Sequence, residues 1–166
     1  MFKFEAMEKM NDEQRLKYML VMLEGQLSSE KDALANISNA AAIIKAAIKD
    51  LNWSGFYFFK GGELVLGPFQ GLPACNRIKL ETGVCGAAYT ERKTQRILDV
   101  HEFPGHIACD AASSSELVVP IIRNDICYGV LDLDSPSLGR FTELEQNYLE
   151  KFVILLNNYV NWEELF

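Results

Sequence analysis

Four cysteines are the residues of this sequence best suited to covalent chemistry. They are Cys75 in GLPACN, Cys85 in TGVCGA, Cys109 in HIACDA and Cys127 in DICYGV. No pair has C-x-x-C spacing, so the intervals do not specify a zinc site with His101 or His106. Four cysteines are too few for a secreted disulfide scaffold in a chain of this size, and we expect free, catalytic or metal-bound thiols instead.

The surroundings of the four thiols differ. Cys75, Cys85 and Cys109 lie in Gly- or Pro-rich loops or at a predicted helix start, whereas Cys127 lies in an apolar strand. We therefore expect chemistry from the first three and a structural role for Cys127. If Thr82 caps the short helix, Cys85 lies near its third residue, where the helix dipole favours a thiolate. The alternative is that all four are small buried apolar residues.

Carboxylates and aromatic rings alternate with apolar residues in the predicted strands. In CYGVLDLDS, a period of two predicts one face with Asp132, Asp134, Tyr128 and Val130, and an apolar face with Cys127, Leu131 and Leu133. Glu116 is the only charged residue of SELVVPII, and NWSGFYFF places Trp53 and Tyr57 on one face. Aromatic walls with a few polar groups are typical of a ligand pocket. The alternative for each acid alone is a solvated position at the end of a sheet.

The period of the apolar residues predicts the elements that position these groups. Residues 5–24 and 28–51 have helical spacing, and Gly25 is expected to end the first helix. NWSGFYFF with ELVLGPF, and SELVVPII with CYGVLDLDS, predict two hairpins. A short helix in TGVCGAAYTERK, the strand RILDV and a C-terminal helix with a Thr142/Glu145 capping box complete the chain. This order predicts an α+β fold, an antiparallel sheet with helices packed on one face.

Composition indicates one domain over residues 1–166 and limits its partners. The chain has 166 residues, 49% of them hydrophobic, which is enough for a substantial core. Its formal net charge is −7 and its basic residues are scattered, so nucleic acid and membrane surfaces are not expected partners. No apolar run approaches the length of a membrane span or a signal peptide, and we expect a cytoplasmic protein.

Several motifs, in their order along the chain, resemble those of a known family. NWSGFYFF, LGPFQG, PAC, GVCG, PGHIACD, SELVVPI and GVLDLDS closely resemble the free methionine-(R)-sulfoxide reductases, single-domain members of the GAF fold. The resemblance extends from about Glu30 to about Tyr159 and covers residues 1–25, an expected helical extension, poorly. One departure is Leu72, where many members carry lysine. The resemblance implies a GAF-like fold, no cofactor, thioredoxin as reductant and a homodimer.

The resemblance also implies a role for each candidate residue. Cys109 corresponds to the nucleophile, Cys75 to the main resolving thiol and Cys85 to a second thiol in the pocket. The implied substrate-binding residues are Glu116, Asp132, Asp134, Trp53 and Tyr57. Cys127 lies outside the family's motifs. Apart from the resemblance, His106 could act as a base or as a cap of the PGHIACD turn, and we expect the structural role.

These residue types suit reduction of a sulfoxide. Thiolate attack on sulfur is helped when an acid protonates the sulfoxide oxygen, and clustered carboxylates favour a retained proton near neutral pH. The remaining carboxylates suit the ammonium group of a free amino acid. Attack would release methionine and leave a sulfenic acid on Cys109, which a second thiol converts to a disulfide that a dithiol reopens.

Two other functions stay open on the sequence alone. One is a GAF-type module that binds a small ligand without chemistry, and the other is a redox sensor that forms the same disulfide without turnover. Consumption of free methionine sulfoxide in repeated cycles is the observation that separates an enzyme from both.

Overall fold

A computed structural model describes residues 4–105 and 112–166 of the chain. The helices are α1 (Asp12–Ser29), α2 (Ala33–Ala47), α3 (Gly83–Glu91) and α4 (Glu143–Tyr159). The strands are β1 (Trp53–Lys60), β2 (Glu63–Gln70), β3 (Arg77–Lys79), β4 (Gln95–Ile97), β5 (Ser115–Arg123) and β6 (Ile126–Ser135). Short 3-10 helices cover Phe4–Lys9, Val100–Glu102 and Trp162–Leu165. None of the helices in these two ranges has the length and apolar character to span a membrane.

The six strands form one antiparallel sheet in the order β3-β2-β1-β6-β5-β4. Both predicted hairpins are confirmed. The β1–β2 turn uses Gly61 and Gly62, and the β5–β6 turn uses Asn124 and Asp125, all four with positive φ. Such residues suit the tight turns whose twist matches that of paired strands. The central β1–β6–β5 pairing therefore follows from turn chemistry and from the alternation of side chains.

One face of the sheet is covered by α1, α2 and α4. Its core joins Phe56, Leu117 and Leu131 of the central strands to apolar residues of these three helices, among them Ile44 and Phe152. The predicted capping box at the start of α4 is confirmed, because Thr142 and Glu145 exchange both side-chain to backbone hydrogen bonds. The predicted end of the first helix is wrong, since α1 continues through Gly25 to Ser29.

The opposite face of the sheet carries a second, smaller core beneath α3. It contains Trp53 and Tyr57 of β1, Val118 of β5 and Val130 of β6, packed with Val84, Cys85 and Ala88 of α3. The α+β prediction is confirmed, with α3 as the helix that lies on the other face. This second face holds the predicted acids and aromatic residues.

A β-bulge near the start of β6 gives the first residues of that strand faces other than those the sequence predicted. Ile121 pairs with Gly129 and Ile122 with Cys127, so Tyr128 is an extra residue that inverts the alternation before it. The prediction that Tyr128 shares the face of Asp132 is wrong, because its ring packs on Trp162 in the larger core. Cys127 is buried, but on the α3 side, where it interacts electrostatically with Tyr89.

Candidate active site

Three acidic side chains lie together on the α3 face because of the register of three strands. Asp134 of β6 pairs with Trp53 of β1 on one side and with Glu116 of β5 on the other. Two residues earlier in β6, Asp132 pairs with Gly55 and Val118. Glu116 and Asp132 are buried and Asp134 is half-buried. The structure thus brings together the three acids that the sequence singled out.

An aromatic wall stands beside the acids. The Trp53 ring is stacked between Tyr57, at 5.8 Å between centroids, and Phe69 of β2, at 5.3 Å. A Cβ at Gly55 would lie 2.6 Å from the Trp53 ring, so the wall needs glycine at this position. Sequence reasoning missed Phe69, although its place in the LGPFQG motif could have revealed it.

Helix α3 brings Cys85 to the carboxylates. The Cys85 thiol lies 3.9 Å from Glu116 Oε1, and both residues are buried. Gly86 allows this approach, because a Cβ there would lie 2.6 Å from the Leu80 carbonyl oxygen. Thr82 is the residue that caps α3, as predicted, although its side chain makes no capping hydrogen bond.

Burial and mutual repulsion keep the site partly protonated. Burial, followed by the charges of Asp132 and Asp134, raises the pKa of Glu116 well above its usual value. Burial raises the pKa of Asp132 to about 7. Since two adjacent buried carboxylates cannot both ionise easily, the pair retains a proton near neutral pH. This agrees with the acid that the sequence-based hypothesis requires.

The predicted thiolate character of Cys85 is wrong in direction. Burial, and then the charges of Asp132 and Glu116, raise the pKa of Cys85 well above its usual value. The helix dipole favours a thiolate at the first turn, but desolvation and two neighbouring carboxylates outweigh it here. Cys85 is therefore a neutral thiol when the carboxylates are near it.

Cys75 is tied to the aromatic wall by a hydrogen bond. The Tyr57 hydroxyl donates to the Cys75 carbonyl oxygen at 3.0 Å. Burial raises the pKa of Tyr57 far above its usual value, so its hydroxyl remains a donor. Cys75 is disulfide-bonded, whereas Cys85 and Cys127 are free.

Cys109 and His106 lie outside the described residues. The chain on either side of them is attached to the site. The Gly83 amide, at the start of α3, donates to the Gly105 carbonyl at 3.1 Å. The Ser114 amide donates to the Ser135 carbonyl, at the end of β6, at 2.7 Å.

Among residues 4–105 and 112–166, two buried polar atoms of this face have no hydrogen-bond partner. They are Trp53 Nε1, a donor, and Asp132 Oδ1, an acceptor. A ligand that supplies an acceptor to the first and a donor or cation to the second would remove both deficits. Among the described residues, Cys85, Glu116 and Asp132 also form a group whose ligand atoms could hold a metal ion.

The GAF domain family matches residues 28–160. The chain belongs to the GAF-domain family. This GAF-domain protein is 50% identical to Protein YtsP of Bacillus subtilis, over 87% of the chain and 91% of that protein. It is 47% identical to the free methionine-R-sulfoxide reductase of Escherichia coli, over 78% of the chain and 79% of that enzyme.

A solved structure extends this likeness to three dimensions. The free methionine-R-sulfoxide reductase of Neisseria meningitidis, solved in complex with its substrate, is 37% identical and superposes with a TM-score of 0.88. The superposition covers 94% of each chain. These relatives confirm the resemblance to free methionine-R-sulfoxide reductases that the motifs indicated. The α3 face of this GAF-domain protein is its candidate active site.

Proposed function

We propose that this GAF-domain protein reduces the sulfoxide of free L-methionine, with preference for the R form, to methionine. The observation that carries the proposal is the buried pair Glu116 and Asp132 beside an aromatic wall, where burial raises the pKa of both carboxyl groups and favours a retained proton. Relatives that are 47% and 42% identical to the chain carry the name of this reductase. The same site without a proton donor would suit binding but not removal of a sulfoxide oxygen.

The site offers a partner for each part of the substrate. The apolar carbons next to the sulfur would pack against the Trp53, Tyr57 and Phe69 rings. The ammonium group would bind the carboxylates that are ionised, with Asp134 half-buried at the edge of the cluster. The substrate would also supply an acceptor for the buried Trp53 Nε1, which lacks one.

The proposed reaction begins with attack of the Cys109 thiolate on the sulfoxide sulfur. The Glu116–Asp132 pair supplies a proton to the sulfoxide oxygen, which becomes a better leaving group. In the adduct the hydroxyl group moves from the substrate sulfur to the Cys109 sulfur: the substrate S–O bond and the S–S bond break and an S–O bond to Cys109 forms. Methionine leaves and Cys109 remains as a sulfenic acid, so the thiol is oxidised by two electrons and the sulfoxide is reduced by two. The carboxyl pair regains its proton from solvent, which took up the proton lost when the Cys109 thiol ionised.

A second thiol would close the cycle. Attack of the Cys75 thiolate on the sulfenic acid forms a Cys75–Cys109 disulfide and releases water. The hydrogen bond from Tyr57 to the Cys75 carbonyl, and the disulfide-bonded state of Cys75, support this residue as the resolving thiol. Cys85 is a free, buried thiol at the carboxylates and a less suitable attacker, because its pKa is raised.

A dithiol would then reduce the Cys75–Cys109 disulfide by exchange. We propose thioredoxin for this step, in the reducing environment of the cytoplasm, and a homodimer as the working form. These three assignments rest on the resemblance to the family.

Turnover with defined sulfoxides tests the proposed function. Purified protein is incubated with free methionine-R-sulfoxide or methionine-S-sulfoxide and dithiothreitol, and methionine is counted. We expect many methionines per chain from the R form and far fewer from the S form, with thioredoxin able to replace dithiothreitol. Binding of the sulfoxide without release of methionine would instead identify a ligand-binding module. A single methionine per chain, with dithiol present, would identify a redox sensor.

A further inference from the structure

Three different elements converge on one small group of potential metal ligands. Cys85 comes from α3, Glu116 from β5 and Asp132 from β6. One ligand atom from each lies within 4.8 Å of the other two, and all three residues are buried. The thiol sulfur and Glu116 Oε1 are 3.9 Å apart. This spacing is set by the fold, since the two strands are paired neighbours and α3 packs across them.

A second observation concerns Asp132, one of whose carboxylate oxygens has no hydrogen-bond partner among the described residues. Asp132 is 5% exposed, and its Oδ1 has no hydrogen-bond partner. A buried carboxylate oxygen without a partner is costly, and a cation in contact with it removes that cost. The proposed reaction assigns no bond-forming step to Cys85, so this thiol is free to serve as a ligand.

We propose that the cluster of Cys85, Glu116 and Asp132 binds a zinc-like divalent cation when the protein is reduced. Zinc is bound by thiolate sulfur at about 2.3 Å and by carboxylate oxygen at about 2.0–2.2 Å. On a tetrahedral ion these lengths place sulfur and oxygen roughly 3.5 Å apart. The observed 3.9 Å needs only a small contraction to reach that value.

The chemistry of the ligands selects the class of metal. A thiolate with two carboxylates in a confined site favours zinc and related transition metals, whereas magnesium and calcium prefer oxygen ligands in larger number. Three protein ligands leave a fourth tetrahedral position for water. On binding, the ion replaces the protons of the thiol and of the carboxyl pair, which are released to solvent.

The cation and the substrate would compete for the same carboxylates. If the proposed function holds, the ion occupies the place of the substrate's ammonium group and removes the proton that the sulfoxide oxygen needs. Zinc would therefore act as an inhibitor that competes with the sulfoxide, and the metal site would be a regulatory feature of the active site.

Cobalt(II) provides a direct probe of the sulfur ligand. In protein with Cys75→Ser and Cys109→Ser, Cys85 and Cys127 are the only remaining thiols. Titration of this protein with Co²⁺ is expected to give a thiolate-to-cobalt charge-transfer band and the visible absorption of tetrahedral cobalt, saturating near one ion per chain. Zn²⁺ should remove both signals by displacement.

Two matched variants assign the ligands. Addition of Cys85→Ser should abolish the charge-transfer band, whereas Cys127→Ser, at a buried thiol outside the cluster, should preserve it. Asp132→Asn should weaken Co²⁺ binding at least tenfold while circular dichroism shows an intact fold. A band that survives Cys85→Ser, or no band in the starting protein, would overturn the proposal. The titration uses no sulfoxide, so its result is independent of the proposed reaction.

Discussion

The phenol of Tyr57 is hydrogen-bonded to the main chain of Cys75, with 3.0 Å between the hydroxyl and carbonyl oxygens. Tyr57 lies in a central strand and is 1% exposed, whereas Cys75 is half-buried in the loop between β2 and β3. The bond therefore attaches a loop to the rigid part of the sheet. It fixes the main chain of Cys75, whose side chain packs against the smaller core on the α3 face.

Tyr57→Phe should slow disulfide formation by more than it slows methionine release. The variant keeps the aromatic ring of the wall and removes only the hydroxyl that holds the Cys75 loop. We expect the ratio of the two rates to fall about tenfold, which corresponds to loss of one hydrogen bond of about 1.4 kcal/mol. Rapid quench followed by methionine analysis and thiol counting gives both rates.

Tyr89→Phe is the matched control for this experiment, because Tyr89 stacks on Phe59 away from the acids. It should leave the ratio at the wild-type value. Equal slowing of both rates in Tyr57→Phe would contradict a positioning role for the hydroxyl.

The raised pKa of Asp132 predicts how stability depends on pH. A carboxyl whose pKa is about 7 in the folded protein, against an ordinary value of 3.8, binds its proton more tightly when folded. Its contribution to the free energy of unfolding is therefore greatest at low pH and is lost as pH rises toward about 7. Asp132→Asn removes this dependence.

Thermal or urea unfolding of the reduced proteins measures the effect. The difference in free energy of unfolding between Asp132→Asn and wild type should shift in favour of the variant by at least about 1.4 kcal/mol when the pH is raised from about 5 to about 8. This is the free energy that corresponds to one pKa unit. The exposed turn residue Asp125 provides the control, and Asp125→Asn should show the same difference from wild type at both pH values. A stability of Asp132→Asn relative to wild type that stays constant or falls between about pH 5 and about pH 8 would contradict the burial of a protonated Asp132.

The β6 bulge predicts an unusually high cost for one glycine substitution. Gly129 has φ +157°, and a Cβ there would lie 2.1 Å from the Tyr57 carbonyl oxygen. We expect Gly129→Ala to lower the free energy of unfolding by more than about 3 kcal/mol, since strain and backbone overlap add. Gly139 has φ +58° and open space around its Cβ position, so Gly139→Ala should lower the free energy of unfolding by only about 1 kcal/mol. Similar losses from urea unfolding of the two variants would contradict the bulge geometry.

The carboxylate cluster predicts discrimination between free and acylated substrates. N-acetyl methionine sulfoxide keeps the sulfoxide and loses the ammonium charge, so it forfeits a hydrogen bond to a charged group worth roughly 1.5–3 kcal/mol. Its kcat/KM should be about ten- to a hundredfold lower than that of the free amino acid. Asp134→Asn should narrow this difference while slowing the free substrate. Equal kcat/KM for the two compounds with wild-type protein would remove the ammonium-binding role.

The features that the sequence predicted correctly depend on short-range rules. Turn residues and a period of two were sufficient for the two hairpins. The same period placed Asp132 and Asp134 on one face of β6, and Trp53 and Tyr57 on one face of β1. The capping box of α4 is equally local. These rules act within a few residues and leave a clear pattern of amino acids.

The features that the sequence did not predict depend on tertiary contacts. The bulge beside Gly129 changes the face of Tyr128 and Cys127, and Gly129 itself packs against the Tyr57 backbone of β1. The direction of the Cys85 pKa shift depends on burial against carboxylates that lie far along the chain. Phe69 joins the aromatic wall only because β2 pairs beside Trp53. The pattern of neighbouring residues does not by itself specify these contacts.

The methionine released in a single turnover by two cysteine variants tests the proposed mechanism most directly. Cys75→Ser retains the nucleophile, so with thioredoxin present it should release up to one methionine per chain and then stop as the sulfenic acid. Cys109→Ser lacks the attacking thiol and should release none. Quenched-flow counting of methionine per chain gives both values. A full single-turnover yield from Cys109→Ser would contradict Cys109 as the nucleophile and the reaction built on it.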